Sequence, residues 1–154
     1  MDIRVADDAA AAAVDAAGWM AWQMRNAVRR RGAALVALSG GSTPAAMLAH
    51  LVTLDVPWSQ LTVWQVDERL APDGDDARNA RLLQGLPLPR AQVRLMPVTA
   101  RHLSSAMRRY GAGLPPRFDV VHLGLGDDGH TASWLPGDPV VDLAQPVAVS
   151  GSAH

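Results

Sequence analysis

A short, continuous apolar segment constrains the fold of this chain more than any other feature. Residues 33–38 read Ala-Ala-Leu-Val-Ala-Leu, and Ser39, Gly40 and Gly41 follow directly. A strand that is apolar at every position is typical of a parallel sheet, where both faces are buried. The segment therefore predicts a central parallel strand in an α/β protein.

A long amphipathic helix is predicted before this strand, over residues 7–31. Arg29, Arg30 and Arg31 lie at its end, where cations oppose the helix dipole, and Gly32 follows as a stop signal. Its apolar positions recur at helical spacing, which predicts the buried face. These positions are Val14, Ala17, Ala21, Met24 and Val28.

Helices and strands are predicted to alternate along the rest of the chain. The predicted helices cover residues 44–54, 78–83 and 103–110. The predicted strands cover residues 61–66, 93–96 and 118–123. We therefore expect one α/β domain over residues 1–154, with a three-layer, doubly wound, mainly parallel sheet of Rossmann-like type. Its ligand crevice should lie outside the carboxyl ends of the strands.

Composition excludes several classes of function. The 154 residues carry 14 basic and 15 acidic side chains, so no overall field favours nucleic acid or an anionic membrane. Every basic residue is arginine, which excludes a Schiff-base lysine. The chain has no cysteine, and no histidine pair has metal-ligand spacing, so we predict no metal. A mixed, acidic N-terminus and no long apolar stretch favour a cytoplasmic location.

The first polar segment follows the apolar strand, at residues 38–44 (LSGGSTP). Gly40 and Gly41 permit a tight turn that approaches an anion, and Ser42 or Thr43 can cap the next helix. Amides at a helix N-terminus would then form a phosphate cradle. A structural turn with an ordinary cap explains the same residues. Neither the Walker pattern nor the dinucleotide fingerprint is present.

The second polar segment, Asp67-Glu68-Arg69, follows the strand predicted over residues 61–66. Arg69 can bind a phosphate or carboxylate through two parallel hydrogen bonds. Asp67 or Glu68 can orient Arg69 or cap neighbouring amides. A solvated acid–base cluster on the surface is the alternative interpretation.

The third polar segment, residues 123–133 (LGLGDDGHTAS), follows the last predicted strand. Its glycines can expose His130 at the tip of the strand, with Asp128 two residues before it, and a new element should begin at Thr131. An exposed imidazole beside a carboxylate favours general acid–base chemistry over a structural histidine. The other histidines are interpreted as structural or surface residues. They are His50, His102, His122 and His154.

Together, SGGSTP, VDERLAP with Asn79 after it, and LGLGDDGHTASWLPG resemble the 6-phosphogluconolactonase family, within the wider glucosamine-6-phosphate isomerase/lactonase group. The resemblance implies hydrolysis of 6-phosphoglucono-δ-lactone in the oxidative pentose phosphate pathway, without a cofactor. It makes His130 the general base, with Asp128 positioning the imidazole and Asp67 and Asn79 in support. It also implies a phosphate site formed by Ser39, Gly40, Gly41, Ser42, Thr43 and Arg69.

Two other functions remain open alongside the lactonase. Aldose–ketose isomerising deaminases of the group resemble DGHIAFNEP at the third segment, with a glutamate that takes part in catalysis. Residues 131–137 contain no glutamate, which favours the lactonase. A sugar-phosphate-binding module with impaired catalysis is the second alternative.

Two departures from the family pattern qualify the resemblance. Arg78 stands before Asn79 where relatives usually have serine, so the polar contacts of that loop are expected to differ. Family members also continue well past His154, and this chain resembles their N-terminal two-thirds. Residues 146–149 are predicted to begin another strand. Three interpretations of the shorter length are open: a natural short form, a shortened chain, or a remainder supplied elsewhere. Each would leave an apolar sheet edge, which suits a homo-oligomer.

Overall fold

The computed structural model describes residues 2–84, 86 and 91–150. The strands are β1 (Ala34–Leu38), β2 (Leu61–Gln65), β3 (Gln92–Arg94) and β4 (Val120–Val121). The helices are α1 (Ala9–Arg31), α2 (Ser42–Leu51), α3 (Ala80–Gln84) and α4 (Leu103–Ala112), with short 3-10 turns at Trp58–Gln60 and Pro139–Asp142. The strands form one sheet in the order β3-β2-β1-β4, and every neighbouring pair is parallel. The predicted parallel α/β fold is confirmed.

A side-chain cap begins helix α1 and a glycine ends it. The Asp8 side chain accepts a hydrogen bond of 2.8 Å from the amide of Ala11 and caps the first turn. Gly32 closes the helix with φ +77°, and its amide donates to the carbonyl of Val28 at 2.7 Å. A positive φ suits glycine, which has no Cβ to clash, so the predicted stop is confirmed.

The buried face of α1 differs from the prediction at Val14, and the predicted Val28 is only partly buried. Val14 is 48% exposed, whereas its neighbour Ala13 is buried. The buried positions are Ala13, Ala17, Met20, Ala21, Met24 and Ala27. Small alanines let α1 approach α2 and the sheet closely, so their stripe faces the core and the larger Val14 lies at its rim.

Different helices cover the two faces of the sheet. Val36 and Val63 belong to the core packed against α1 and α2. Trp64 points to the opposite face because neighbouring strand residues alternate. There it meets Tyr110 of α4 edge to face, with ring centroids 5.2 Å apart, and Phe118 at 6.3 Å. Helices thus cover both faces, as the predicted layers require.

The sheet has an apolar edge at β4. Pairing with β1 extends past the two assigned residues, because the amides of Asp119 and His122 donate to carbonyls of β1 at 2.8 and 2.9 Å. On its other side β4 has no neighbouring strand in the part of the chain that the structure describes. Val121, Leu123 and Leu125, at alternate positions, are 49%, 49% and 81% exposed.

The remaining predicted helices and strands shift by up to three residues at their ends, except for the strand predicted to begin at residues 146–149. Residues 146–149 form no strand; instead Pro146 packs against Gly111 of α4. A strand needs a hydrogen-bonded neighbour, and none is offered there. No described helix is long and apolar enough to cross a bilayer.

Candidate active site

The three polar segments lie at the same edge of the sheet. They follow β1, β2 and β4, and parallel strands deliver their carboxyl ends to one edge. Side-chain hydrogen bonds and packing contacts join the segments to one another. The three segments therefore converge at one edge, as the sequence predicted, although several of the contacts between them were not foreseen.

The first segment turns through Gly41 into α2. Gly41 has φ +104°, a value that favours glycine, and occupies the N-cap position, so the N-cap lies before the predicted Ser42 or Thr43. Pro44 lies in the first turn, as predicted. The first amides of a helix have no partner within it and carry the positive end of its dipole. Gly41 lines a cavity of about 610 Å³ beside these amides.

Asn79 connects the first and second segments. Its side chain lies so close to Gly40 that a Cβ on this glycine would overlap it, which explains the glycine at this position. Asn79 Nδ2 also donates to Oδ1 of Asp67 at 3.1 Å and to the Asp67 carbonyl at 3.2 Å. The sequence assigned Asn79 a supporting role, and the structure gives it these partners.

Glu68 organises the second segment as a backbone cap. Its Oε1 accepts hydrogen bonds from the amides of Arg69 at 2.7 Å and Asn79 at 2.8 Å. Its Oε2 accepts from the Ala80 amide at 3.0 Å and from Gln65 Nε2 at 2.7 Å. One carboxylate therefore holds the chain on both sides of the intervening loop. Of the two acids proposed from the sequence to cap amides, Glu68 does so.

Arg78 makes three polar contacts within the loop that separates Glu68 from Asn79. Its Nε lies 3.1 Å from Oε2 of Glu68, and its Nη1 donates to the Ala71 carbonyl at 3.0 Å and to Asp73 at 2.9 Å. Burial alone would raise the pKa of Glu68, but hydrogen bonds from Gln65 and from backbone amides, together with the ion pair with Arg78, lower it below its ordinary value. Burial likewise opposes charge on Arg78, yet its two carboxylate partners raise its pKa. Arg78, at the position where the family that the sequence resembles usually has serine, thus supplies a set of polar contacts within this loop.

Arg69 lines two cavities and carries a buried donor that has no partner in the described part of the chain. Its Nε is buried and has no hydrogen-bond partner among the described residues. Arg69 lines the 610 Å³ cavity with Gly41 and also lines a second cavity of about 1080 Å³. A buried donor without a partner is costly unless a ligand or water completes it. Arg69 therefore stands where the two cavities meet.

The third segment holds an aspartate–histidine pair. His130 Nδ1 lies 2.5 Å from Oδ1 of Asp128, and the His130 amide donates to the same oxygen at 3.0 Å. These two hydrogen bonds from His130 lower the pKa of Asp128. Because the ionised carboxylate accepts from Nδ1–H, the lone pair of the neutral imidazole is on Nε2. Both residues line the 1080 Å³ cavity.

Glycines shape the backbone around this pair. A Cβ on Gly126 would overlap the imidazole of His130, so the ring lies directly against that glycine. Gly129 has φ +86°, which turns the chain back toward the ring. The expected regular element at Thr131 is replaced by a tight turn with a single bridge between Thr131 and Trp134. Local hydrogen bonds satisfy this turn, including Thr131 Oγ1 to the Gly124 carbonyl at 2.8 Å.

Ser133 was not assigned a role from the sequence, and it connects the third segment to the second. Its hydroxyl donates to Oδ2 of Asp67 at 2.6 Å. Asp67 is buried and, together with Arg69 and Ser133, lines the 1080 Å³ cavity. No local pattern signals this contact.

Ser39 and His122 have structural contacts. Ser39 is buried and its hydroxyl donates to the His122 carbonyl at 2.7 Å, which ties the end of β1 to the end of β4. Ser39 lines neither of the two cavities. Burial lowers the pKa of His122. His50 and His102 are exposed, and His154 lies outside the described residues. Among those residues, no group of three acidic or histidine side chains is arranged to hold a metal.

Fold and site together define a parallel α/β protein with arginine-lined cavities and an aspartate–histidine pair at the carboxyl edge of the sheet. The model of the family described as glucosamine-6-phosphate isomerases/6-phosphogluconolactonase matches residues 7–153. The chain belongs to this family.

Individual relatives agree with this assignment. The chain is 41% identical over 118 residues to a 6-phosphogluconolactonase of Rhizobium meliloti, covering 72% of this chain and 51% of that protein. It is 35% identical over 156 residues to a 6-phosphogluconolactonase of Pseudomonas aeruginosa, covering 92% and 63%. A crystal structure of a 6-phosphogluconolactonase from Shewanella baltica matches with a TM-score of 0.74 and 31% identity, covering 84% and 59%. The chain thus spans about half to three-fifths of the length of these relatives.

Proposed function

We propose that this chain hydrolyses 6-phosphoglucono-δ-lactone to 6-phosphogluconate, the lactone-opening step of the oxidative pentose phosphate pathway, without a cofactor. The observation that carries the proposal is the position of Arg69. It lines the cavity at the start of α2 and also the cavity that contains the Asp128–His130 pair. One small substrate could therefore place an anionic group near Gly41 and a reactive carbonyl near His130.

The proposed mechanism uses His130 as general base. Its Nε2 takes a proton from water while the water oxygen attacks the lactone carbonyl. The ring C–O bond then breaks, and Nε2 returns the proton to the leaving ring oxygen, which gives a carboxylic acid and a hydroxyl group. Asp128 holds the imidazole in the tautomer that leaves Nε2 free. Amides at the start of α2, with Arg69, would hold the phosphate; Ser39, Ser42 and Thr43 remain predicted members of that site. Fixing the distant phosphate orients the carbonyl.

Activity measurements test this proposal directly. Turnover of freshly generated lactone, corrected for spontaneous hydrolysis, is compared between wild type, His130→Ala and His102→Ala. Loss of a general base lowers the rate by roughly 10²–10⁴-fold, so we expect that loss for His130→Ala. His102 is exposed and lines neither cavity, so its variant should retain the wild-type rate. Equal rates for all three proteins would exclude His130 as the base.

A binding module with impaired catalysis is the second candidate. The 1080 Å³ cavity exceeds the roughly 300–1,000 Å³ of typical ligand sites, and the His130 side chain is 41% exposed. Such openness would weaken water exclusion during catalysis. Calorimetry with 6-phosphogluconate distinguishes the candidates, since binding without lactone turnover supports the module. The hypothesis of an aldose–ketose isomerase is less favoured because residues 131–137 contain no glutamate.

The proposal treats residues 1–154 as one α/β domain located in the cytoplasm. Its binding partner is a small sugar phosphate, and neither nucleic acid nor a membrane is a partner. The side of β4 that is unpaired among the described residues, with the exposed Leu125 just beyond the strand, favours a homo-oligomer through this edge. Light scattering across a concentration series measures this association. A concentration-independent monomer mass would contradict it.

A further inference from the structure

We propose that Arg78 is a positioning residue that acts through Glu68 to hold Arg69 and Asn79 at the 610 Å³ cavity. The inference deepens the proposed function and rests on its anion site. Arg69, Asn79 and Gly41 line that cavity. Arg78 lines it too, but its side chain is only 6% exposed and is paired with Glu68. This buried ion pair contributes to holding Arg69 and Asn79, which lie 10 positions apart, at one cavity.

The Glu68 carboxylate fixes both residues through their backbones. The same oxygen, Oε1, accepts the amide of Arg69 at 2.7 Å and the amide of Asn79 at 2.8 Å. The other oxygen accepts the next amide, that of Ala80, at 3.0 Å, which starts α3. Any displacement of this carboxylate therefore moves both cavity residues together.

Arg78 holds the carboxylate in place. The side chains of Arg78 and Glu68 are only 6% and 0% exposed, and they are 3.1 Å apart. Arg78 also reaches the Ala71 carbonyl and Asp73, so its planar guanidinium bridges three points of the loop at once. A buried carboxylate that loses its cation leaves an uncompensated charge, which the loop relieves by moving toward water.

This arrangement predicts a specific kinetic signature. His130 lies on the segment after β4, and no hydrogen bond or ion pair joins Arg78 to His130 or Asp128 among the described residues. Loss of Arg78 should therefore weaken binding of the phosphate group and raise KM, while kcat changes little. A purely structural contribution would lower the amount of folded protein and leave the KM of the folded fraction unchanged.

The experiment compares Arg78→Met, Arg78→Lys and the control Arg30→Met, in which an exposed arginine of α1 loses the same charge. Binding of inorganic phosphate is measured by calorimetry below the unfolding temperature of each variant, with kcat and KM for the lactone. Removing a supporting partner behind a binding residue typically costs roughly 10–100-fold, and we expect that loss of phosphate affinity and rise in KM for Arg78→Met. Arg78→Lys should recover part of the loss, and Arg30→Met should match wild type.

A double-variant cycle tests the route through Glu68. If Arg78 acts through this carboxylate, the losses for Arg78→Met and Glu68→Gln are less than additive in phosphate affinity. Additive losses, or a phosphate affinity of Arg78→Met within about twofold of wild type, would overturn the proposal.

Hydrogen exchange separates this inference from the proposed function. The amides of Arg69, Asn79 and Ala80 should lose protection in Arg78→Met, while amides of α1 keep theirs. If wild type neither binds phosphate nor hydrolyses the lactone, the proposed function fails, yet this loss of protection still supports positioning by Arg78. Unchanged protection at those three amides would overturn the positioning role whatever the activity.

Discussion

Ser133 donates a hydrogen bond of 2.6 Å to Oδ2 of Asp67, a residue that precedes it by 66 positions. The other oxygen of the same carboxylate accepts from Asn79, whose side chain lies against Gly40. Asp67 is therefore the junction at which the segments after β1, β2 and β4 are joined. A site assembled in this way depends on buried polar contacts between distant parts of the chain.

Ser133→Ala should destabilise the protein by removing one partner of the buried Asp67. Hydrogen bonds to charged groups contribute about 1.5–3 kcal/mol, so we expect a loss of that size in the free energy of unfolding. Urea unfolding measures it, with Ser104→Ala, an exposed position of α4, as the matched control. A loss no larger than that of the control would show that the contact contributes little.

Gly126→Ala should impair catalysis by displacing the imidazole. A Cβ at this position would overlap the ring of His130 and would lie 2.8 Å from Asp128 Oδ1. Gly124→Ala is a close control, because a Cβ there meets nothing within 4 Å. Lactone turnover should fall for Gly126→Ala, with folding checked by circular dichroism, and should be retained for Gly124→Ala. Similar rates for the two variants would contradict the observed packing of the ring.

Arg69→Ala should reduce the use of phosphorylated substrate selectively. A charge-assisted hydrogen bond contributes about 1.5–3 kcal/mol, which corresponds to roughly 10–150-fold in kcat/KM. Arg69→Lys should also weaken substrate use, since a point charge replaces a planar fork. Steady-state kinetics with 6-phosphoglucono-δ-lactone and with the unphosphorylated lactone provide the test. An equal effect on both lactones would show that Arg69 does not bind the phosphate.

Acid should remove the stability that Glu68 contributes. The folded protein holds the pKa of Glu68 below its ordinary value of 4.5, so the unfolded chain takes up a proton first as pH falls. This contribution is complete above about pH 4.5 and is lost as pH falls through the folded pKa. The difference in unfolding free energy between wild type and Glu68→Gln should therefore shrink from neutral pH to about pH 3. A difference that stays constant with pH would contradict the ionised pair.

Much of the fold followed from local patterns. The apolar run at residues 33–38 became the central strand β1, and Gly32 ended α1 as predicted. The errors arose where packing chose between neighbours. Val14 and Ala13 both fit an apolar stripe, but close helix packing favoured the smaller side chain. Residues 146–149 have strand-like composition, yet they pack against α4 without a strand partner.

The sequence by itself determined the parallel α/β fold, the edge of the sheet that carries the site and the Asp128–His130 pair, because periodicity, glycine turns and two-residue spacing act locally. The tertiary structure decided which side chains hold the site together. Glu68 binds Asn79, Arg78 returns to Glu68, and Ser133 reaches Asp67. These contacts join residues 10, 11 and 66 positions apart, and their formation depends on burial and on the distance between folded elements. No local pattern of hydrophobicity or charge records those quantities.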